Sequence, residues 1–539
     1  MMLAIGGNKR RIWTFFILVA GLCLALADMA RAEVTAFKQA VAEAAADDRE
    51  LAAFYQSNDY VGLWTGAGAG DAARRKALFE ALQAADAHGL PAERYGADAL
   101  MEVLQQVRGP RSRGFAEVAM SKAFLRFAQD LQTGALVPGR VDSEIKREVP
   151  RRDRIGYLVS LRDGAPRALF RSLPPQTNEY ARLMKEKMRL ERLLAQGGWG
   201  ERVPAGSLKP GATGSAVVAL RNRMIAMGYA DRSATRAYDG ALQIAVQKFQ
   251  SAHGLEPDGV AGEGTMTEIN RPVEDRLKSV IVAMERERWL NLPEGRGDRH
   301  ILVNLADFSA RIIDNDHETF RTRAVVGKNQ GDRRSPEFSD VMEHMVINPT
   351  WHVPRSIAVK EYLPMMKRNR NAVGHLKLVD SRGRVVNRSR INFGAYNARN
   401  FPFAIKQPPS KRNALGLVKF MFPNKYNIYL HDTPAKNLFE REVRAYSHGC
   451  IRLHQPFEFA YTLLAKQEDD PKAFFHAKLD TGRETKVDLE KQVPVHIMYR
   501  TAYTHAKGPM QYRRDVYGRD ARIWSALEQA GVSLRAVQG

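Results

Sequence analysis

The hydrophobic period of this 539-residue chain changes near residue 298. Before that point apolar side chains recur every three to four residues. After it they come in short alternating or β-branched runs with turn residues between them. The first pattern lays apolar groups along one face of a helix, the second along one face of a strand. The chain therefore reads as a multidomain α+β protein. Its length suggests about three to five domains at roughly 100–200 residues each.

Residues 33–200 are rich in Ala, Leu, Arg and Glu, as in Val34–Ala53 and Lys122–Leu131, and read as a helical scaffold. Polar residues are scattered there without a catalytic constellation. A Gly/Pro-rich linker runs from Gly197-Gly198 to Pro210-Gly211. Residues 207–270 read as a small three-helix module. Val217, Leu220, Met224 and Met227 share one helix face, and Leu242, Ala245, Val246 and Phe249 another. A connecting helix is expected within 271–298, with Leu277, Val280, Ile281 and Met284 on one side. Residues 299–502 read as a mostly-β domain. Strands are predicted at His300–Leu305, Ala310–Ile313, Arg323–Val326, Val341–Ile347, Tyr426–Leu430 and Val495–Tyr499. A basic Asn/Arg/Pro-rich stretch, about 354–412, is too long for a simple loop and reads as an inserted lid or subdomain. Residues 503–539 form a C-terminal extension.

The N-terminus predicts export. Lys9, Arg10 and Arg11 precede a 15-residue apolar run, Trp13–Ala27, and Ala30-Arg31-Ala32 has the small-x-small form of a cleavage site. The run is short for a membrane span of about 20 residues, so 1–32 reads as a signal peptide cleaved near Ala32. Left uncleaved, it would be the chain's sole membrane contact. The formal charge is +22, from 82 Lys+Arg against 60 Asp+Glu. In an exported chain that charge points to anionic surfaces and carboxylate-bearing wall polymer rather than nucleic acid, for which no motif is present. Of two cysteines, Cys23 leaves with the signal and Cys450 remains alone. It cannot form an internal disulfide, which marks it as a candidate nucleophile.

Cys450 lies in Tyr446-Ser447-His448-Gly449-Cys450-Ile451-Arg452-Leu453. His431, followed by Asp432, lies 19 residues upstream. A free thiol of pKa about 8.5 is largely protonated at neutral pH. It needs an imidazole to take its proton and a third group to orient that imidazole. Two histidines compete for the base role. An extended segment would put His448 on the face of Cys450, and His431 could approach if its strand pairs with that of Cys450. Gly449 lets the backbone approach a substrate carbonyl, and the N–H groups of Gly449 and Cys450 are candidate oxyanion donors. Arg452 suits a substrate carboxylate.

Two resemblances follow from these residues. The run from Leu208 through Gly214, Val217, Tyr238-Asp239, Phe249-Gln250 and Asp258-Gly259 to Thr265 resembles the peptidoglycan-binding-domain-1 family. Ser447-His448-Gly449-Cys450 with His431 upstream resembles the YkuD family of L,D-transpeptidases. With Asn348-Pro349-Thr350-Trp351, the basic stretch and the helical scaffold, the chain resembles the large YcbB-like periplasmic members. The resemblance implies Cys450 as nucleophile and His431 as base. Asp432 or a backbone carbonyl would orient His431. Tyr429, Trp351, Ser447 and Arg452 would meet substrate. It implies 3→3 cross-linking of diaminopimelate residues through a thioester with release of D-Ala, and carbapenems as acylating agents. No cofactor is implied, and the partners are peptidoglycan stem peptides and glycan, with other cell-wall synthesis proteins. The alternatives are an L,D-carboxypeptidase using the same residues, a zinc hydrolase built on His431, His448, Cys450 and His454, and a non-catalytic wall-binding protein.

Overall fold

The structure, a computed structural model, describes residues 35–204, 206–505 and 508–536. The expected signal segment and its cleavage point lie outside the described residues. Among those described, no helix is long and apolar enough to cross a membrane.

The N-terminal part is helical. Arg49–Ser57, Ala69–Gln83, Pro110–Thr133 and Arg154–Asp163 enclose a core of Phe54, Trp64, Leu78, Phe124, Phe127 and Leu158. A buried carboxylate, Glu117, ties the scaffold together. It accepts the backbone N–H groups of Leu63, Trp64 and Thr65 and the hydroxyls of Tyr55 and Thr65. A buried charge is tolerable when its lone pairs are satisfied in this way.

The small module holds three helices, Ser215–Ala226, Gly240–Ala252 and Glu263–Ile269. Val217, Leu220, Met224, Leu242, Val246 and Phe249 form its core, as their period requires. The Asp239 side chain caps the second helix by accepting the Leu242 N–H at 2.9 Å. The buried Gln250 amide bonds Asp258, Gly259 and Val260 and so fixes the turn after that helix.

The helix Val273–Trp289 is buried on all sides from Val280 to its end. It packs on Asn178–Ala195 and on Arg519–Gln529 of the C-terminal extension. Its charged residues are satisfied inside: Arg288 with Glu285 at 2.7 Å, Arg286 with Glu337 and Asp520, Glu287 with Arg296 and Arg500. Removing one partner of such a desolvated pair is strongly destabilising.

Residues 299–498 are built on one mixed sheet. Its strands are β1 (Arg299–Asn304), β2 (Ser309–Asp314), β3 (His317–Gly327), β4 (Phe338–Ile347), β8 (Val418–Met421), β9 (Leu430–His431), β10 (Ala445–Ser447), β11 (Ile451–Leu453) and β12 (Thr485–Met498). Between β4 and β8 lie β5 (Trp351–His352), β6 (Lys377–Val379) and β7 (Ala404–Gln407), a separate three-stranded sheet. The main order is β10-β3-β11-β9-β8-β4-β12-β1-β2, and β2 also pairs with β3, so the sheet closes on itself. Closure removes open edges and leaves an apolar interior. Ile301, Val303, Ile312, Phe338, Met345, Phe420, Leu430, Ile451 and Ile497 fill it. The smaller sheet has its own core of Trp351, Ile357, Leu363, Leu376, Phe393, Phe401 and Ile405.

The strand expected at Tyr426–Leu430 is confined to Leu430–His431. The Asn424 side chain accepts the N–H groups of Tyr426 and Ile428, and Asn427 is left-handed at φ 55°. Asn competes with the sheet by bonding its own neighbours' backbone, so a turn replaces the start of the strand.

Candidate active site

The register of two short strands sets the site. β9 and β11 run parallel, Leu430 opposite Ile451 and His431 opposite Arg452. Alternation then sends Leu430, Ile451 and Leu453 into the core, where they are fully buried. Tyr429, His431, Cys450 and Arg452 fall on the opposite face. Lys419 joins them, because β8 sets it opposite His431.

Cys450 is half-buried, and its thiol donates to the Asn427 carbonyl at 3.4 Å. Burial pushes its pKa up to about 11, against the opposing pull of the Tyr429 backbone N–H and hydroxyl and of the Arg452 charge. His431 is buried. Burial, then the Arg452 charge, pushes it down to about 3. Its Nδ1 is bonded to the Asp432 backbone carbonyl. A carbonyl only accepts, so Nδ1 carries the hydrogen and Nε2 is left as a base. The choice between Asp432 and a backbone carbonyl as orienter thus falls to the carbonyl. The Asp432 carboxylate is engaged elsewhere, by the N–H groups of Leu417 (2.9 Å) and Thr433 (2.7 Å) and by Lys436 Nζ (2.8 Å).

Two expectations change. His448 does not share an extended segment with Cys450: residues 448–450 bend, with Gly449 at φ 116°. Its Nε2 instead meets Glu361 at 2.7 Å, a carboxylate of the inserted segment that also holds Arg333 at 2.7 Å. The Gly449 N–H is not a free oxyanion donor, because it donates to Ser447 Oγ at 3.1 Å, while that hydroxyl donates to the Cys450 carbonyl. Ser447 is thereby a brace of the bend, and the Cys450 N–H is the donor left. The zinc hydrolase is only an alternative reading. Among the described residues no cluster of three or more His, Cys, Asp or Glu is placed to hold a metal, so His431, His448, Cys450 and His454 do not converge.

Trp351 is buried on β5, and Tyr429 packs against the core to which Trp351 belongs, linking the inserted sheet to the Cys450 face. Arg452 is half-buried, and its Nε has no hydrogen-bond partner among the described residues. It makes no ion pair among them, so its charge is available to an incoming carboxylate.

Sequence reasoning missed the support of the bend. Ser335 Oγ donates to the Gly449 carbonyl at 2.6 Å and accepts the Gly327 N–H at 3.0 Å. The Tyr517 hydroxyl donates to the Gly327 carbonyl at 2.5 Å, and Arg519 donates to the Ser335 carbonyl at 2.9 Å. These partners are far apart in the chain and carry no local pattern.

With a thiol at about 11 and an imidazole at about 3, both groups are neutral at pH 7. The iodoacetamide reaction of Cys450 is therefore expected to quicken about tenfold per pH unit from about pH 7 to pH 10, since only the thiolate reacts. A plateau already at neutrality, measured by mass spectrometry, would instead mean a resting thiolate–imidazolium pair.

The closed mixed sheet, with Cys450 and His431 on one face, is the part of the chain that one family model recognises. Residues 298–497 match the YkuD family, described as the L,D-transpeptidase catalytic domain. Residues 49–186 match the "Scaffold domain", and residues 213–269 the "Putative peptidoglycan binding domain". Each model matches its own stretch of the chain. It is 29% identical over 244 residues to the "Putative L,D-transpeptidase" of Haemophilus influenzae, covering 45% of this chain and 48% of that protein. It is 41% identical over 75 residues to the "Zinc D-Ala-D-Ala carboxypeptidase" of Streptomyces albus G, covering 13% of this chain and 29% of that protein. The chain thus spans at most about half the length of these curated relatives. A crystal structure of the L,D-transpeptidase from Xylanimonas cellulosilytica overlaps 55% of this chain and 99% of that chain, at 15% identity and a TM-score of 0.16.

Proposed function

We propose that the chain is an exported, periplasmic peptidoglycan L,D-transpeptidase that forms 3→3 cross-links through a thioester on Cys450. The observation that carries this reading is the locked tautomer of His431, with its Nε2 base on the face of the thiol. In the proposed reaction His431 takes the thiol proton as sulfur attacks the carbonyl of the L-centre of diaminopimelate. The Cys450 N–H and nearby donors meet the developing oxyanion. His431 then returns the proton to the departing D-Ala amine. An amine from a second stem attacks the thioester and releases the sulfur. Arg452 holds a stem carboxylate, and Tyr429 steadies the thiolate.

Excluding water favours the amine over hydrolysis. We assign that role to the inserted segment, about 354–412, which clasps the motif through Glu361 and His448. Glu361→Gln weakens the clasp without removing the segment, and deletion of the segment removes it outright. Both are expected to move products from cross-linked dimers toward hydrolysed tripeptides, the deletion more strongly. An unchanged partition would refute the cover. The test of the whole reading is purified protein with a defined disaccharide tetrapeptide, products read by mass. Dimers with loss of D-Ala support transpeptidation, and tripeptides alone would make it an L,D-carboxypeptidase.

A further inference from the structure

A cavity of about 540 Å³ opens where the small helical module meets the catalytic sheet. It shares no lining residue with the Cys450 face. One wall is the turn after the second module helix, residues 253–256, and another is Arg513-Arg514 of the C-terminal extension. The rest comes from residues 306–309, from β3, from Val516 and from both flanks of the motif, residues 440–444 before it and 454–455 after it, with Glu256, Glu440 and Glu442 among the lining carboxylates.

Charge pairing inside is uneven. Asp307 holds Arg321 at 2.9 Å and Arg513 at 2.5 Å, and Arg514 holds Glu268 at 3.2 Å. Arg323, Arg441 and Arg444 have no carboxylate partner among the described residues. Arg323 donates to the Phe439 carbonyl at 3.1 Å and Arg444 to that of Arg441 at 2.8 Å. Arg444 Nε is buried without a partner. Burial first, and then the charges of Arg323, Arg513 and Arg321, press Arg444 down to about 10 against the opposing pull of Asp307, the one carboxylate that acts on it. An anion would relieve all three at once. Leu255, Val443 and Val516 add an apolar side, and Val443 is 38% exposed.

We propose that this cavity is a second, non-catalytic site for a stem peptide of the wall polymer. Its carboxylates lie on Arg323, Arg441 and Arg444, and its aliphatic part against Leu255 and Val443. This inference rests on the cell-wall reading above. A peptide carboxylate fits better than a small inorganic anion because the apolar side would have no use in binding the latter. The floor of the cavity runs into β10, which leads directly to Ser447 and Cys450. Polymer seated there would be tethered beside the motif, raising the local concentration of neighbouring stems.

The test uses the full chain with Cys450→Ala, so that only binding is read. A disaccharide tetrapeptide and its fully amidated counterpart are compared by calorimetry, with hydrogen exchange to locate them. The free acid is expected to protect residues 440–444 and 253–256. Amidation, or Arg441→Gln with Arg444→Gln, is expected to weaken binding about tenfold or more, as for lost charge-assisted hydrogen bonds. Arg441→Gln alone, at an exposed position, serves if the double variant misfolds. Protection confined to 427–431 and 447–452 would overturn the second site and leave the catalytic reading standing. So would no binding at all by a chain whose Cys450 form still takes a carbapenem. Displacement by equimolar inorganic phosphate would overturn the stem-peptide assignment.

Discussion

Cys450→Ala is expected to abolish carbapenem acylation and D-Ala release, and His431→Ala to slow both by about a hundred- to ten-thousandfold. The difference follows from the proposed roles. Sulfur forms the bond, so without it no adduct mass appears. The imidazole moves the proton, and bulk base replaces it poorly, because a thiol held near 11 is barely ionised at neutrality. The His431 variant should regain rate as pH rises toward the thiol's value of about 11, so the gap to wild type is expected to narrow at high pH. Asp432→Asn provides the contrast. The hydrogen bond that fixes the His431 tautomer goes to the backbone of Asp432, so this variant loses the Lys436 ion pair but keeps the base. It is expected to lower stability more than rate. If Asp432→Asn slows acylation as much as His431→Ala does, the carboxylate and not the carbonyl controls the imidazole.

Gly327→Ala is expected to destabilise the catalytic domain by about 1–3 kcal/mol, the usual range for overpacking. The added Cβ would lie 2.0 Å from the Arg333 carbonyl oxygen and 2.7 Å from the Ser335 nitrogen. Both are backbone atoms, so the 331–335 turn must move. That turn carries Ser335, whose hydroxyl holds the Gly449 carbonyl beside Cys450. Acylation should therefore fall along with the denaturation midpoint. Ser335→Ala separates the clamp from the crowding: it removes both hydrogen bonds of that hydroxyl without adding an atom, so acylation falls at a stability cost of about 2 kcal/mol, from about 1 kcal/mol for each neutral hydrogen bond. Wild-type acylation in both variants would show that the bend of Gly449 holds without this brace.

Much of the architecture was legible in local pattern. The period of Leu242, Val246 and Phe249 yields a helix face because burial rewards it wherever that helix packs. The runs at His300–Leu305 and Val341–Ile347 are strands for the same reason. The helix Val273–Trp289 shows the limit. Glu285, Arg286, Glu287 and Arg288 look like a solvated surface, yet each is buried against a partner, several of them distant in sequence, such as Glu337, Arg500 and Asp520. Likewise, Asn424 broke a strand that β-propensity favoured around Tyr426.

The sequence alone picked out the candidate set, because Cys450 is the one thiol outside the expected signal segment and Ser-His-Gly-Cys is a local pattern. Tertiary structure decided where the members of that set sit. Parallel pairing of β9 with β11 placed His431 on the thiol's face, while the bend at Gly449 directed His448 to Glu361. Strand register and long-range hydrogen bonds are properties of chain segments meeting in space. No window of sequence contains both partners, so no local pattern could assign them.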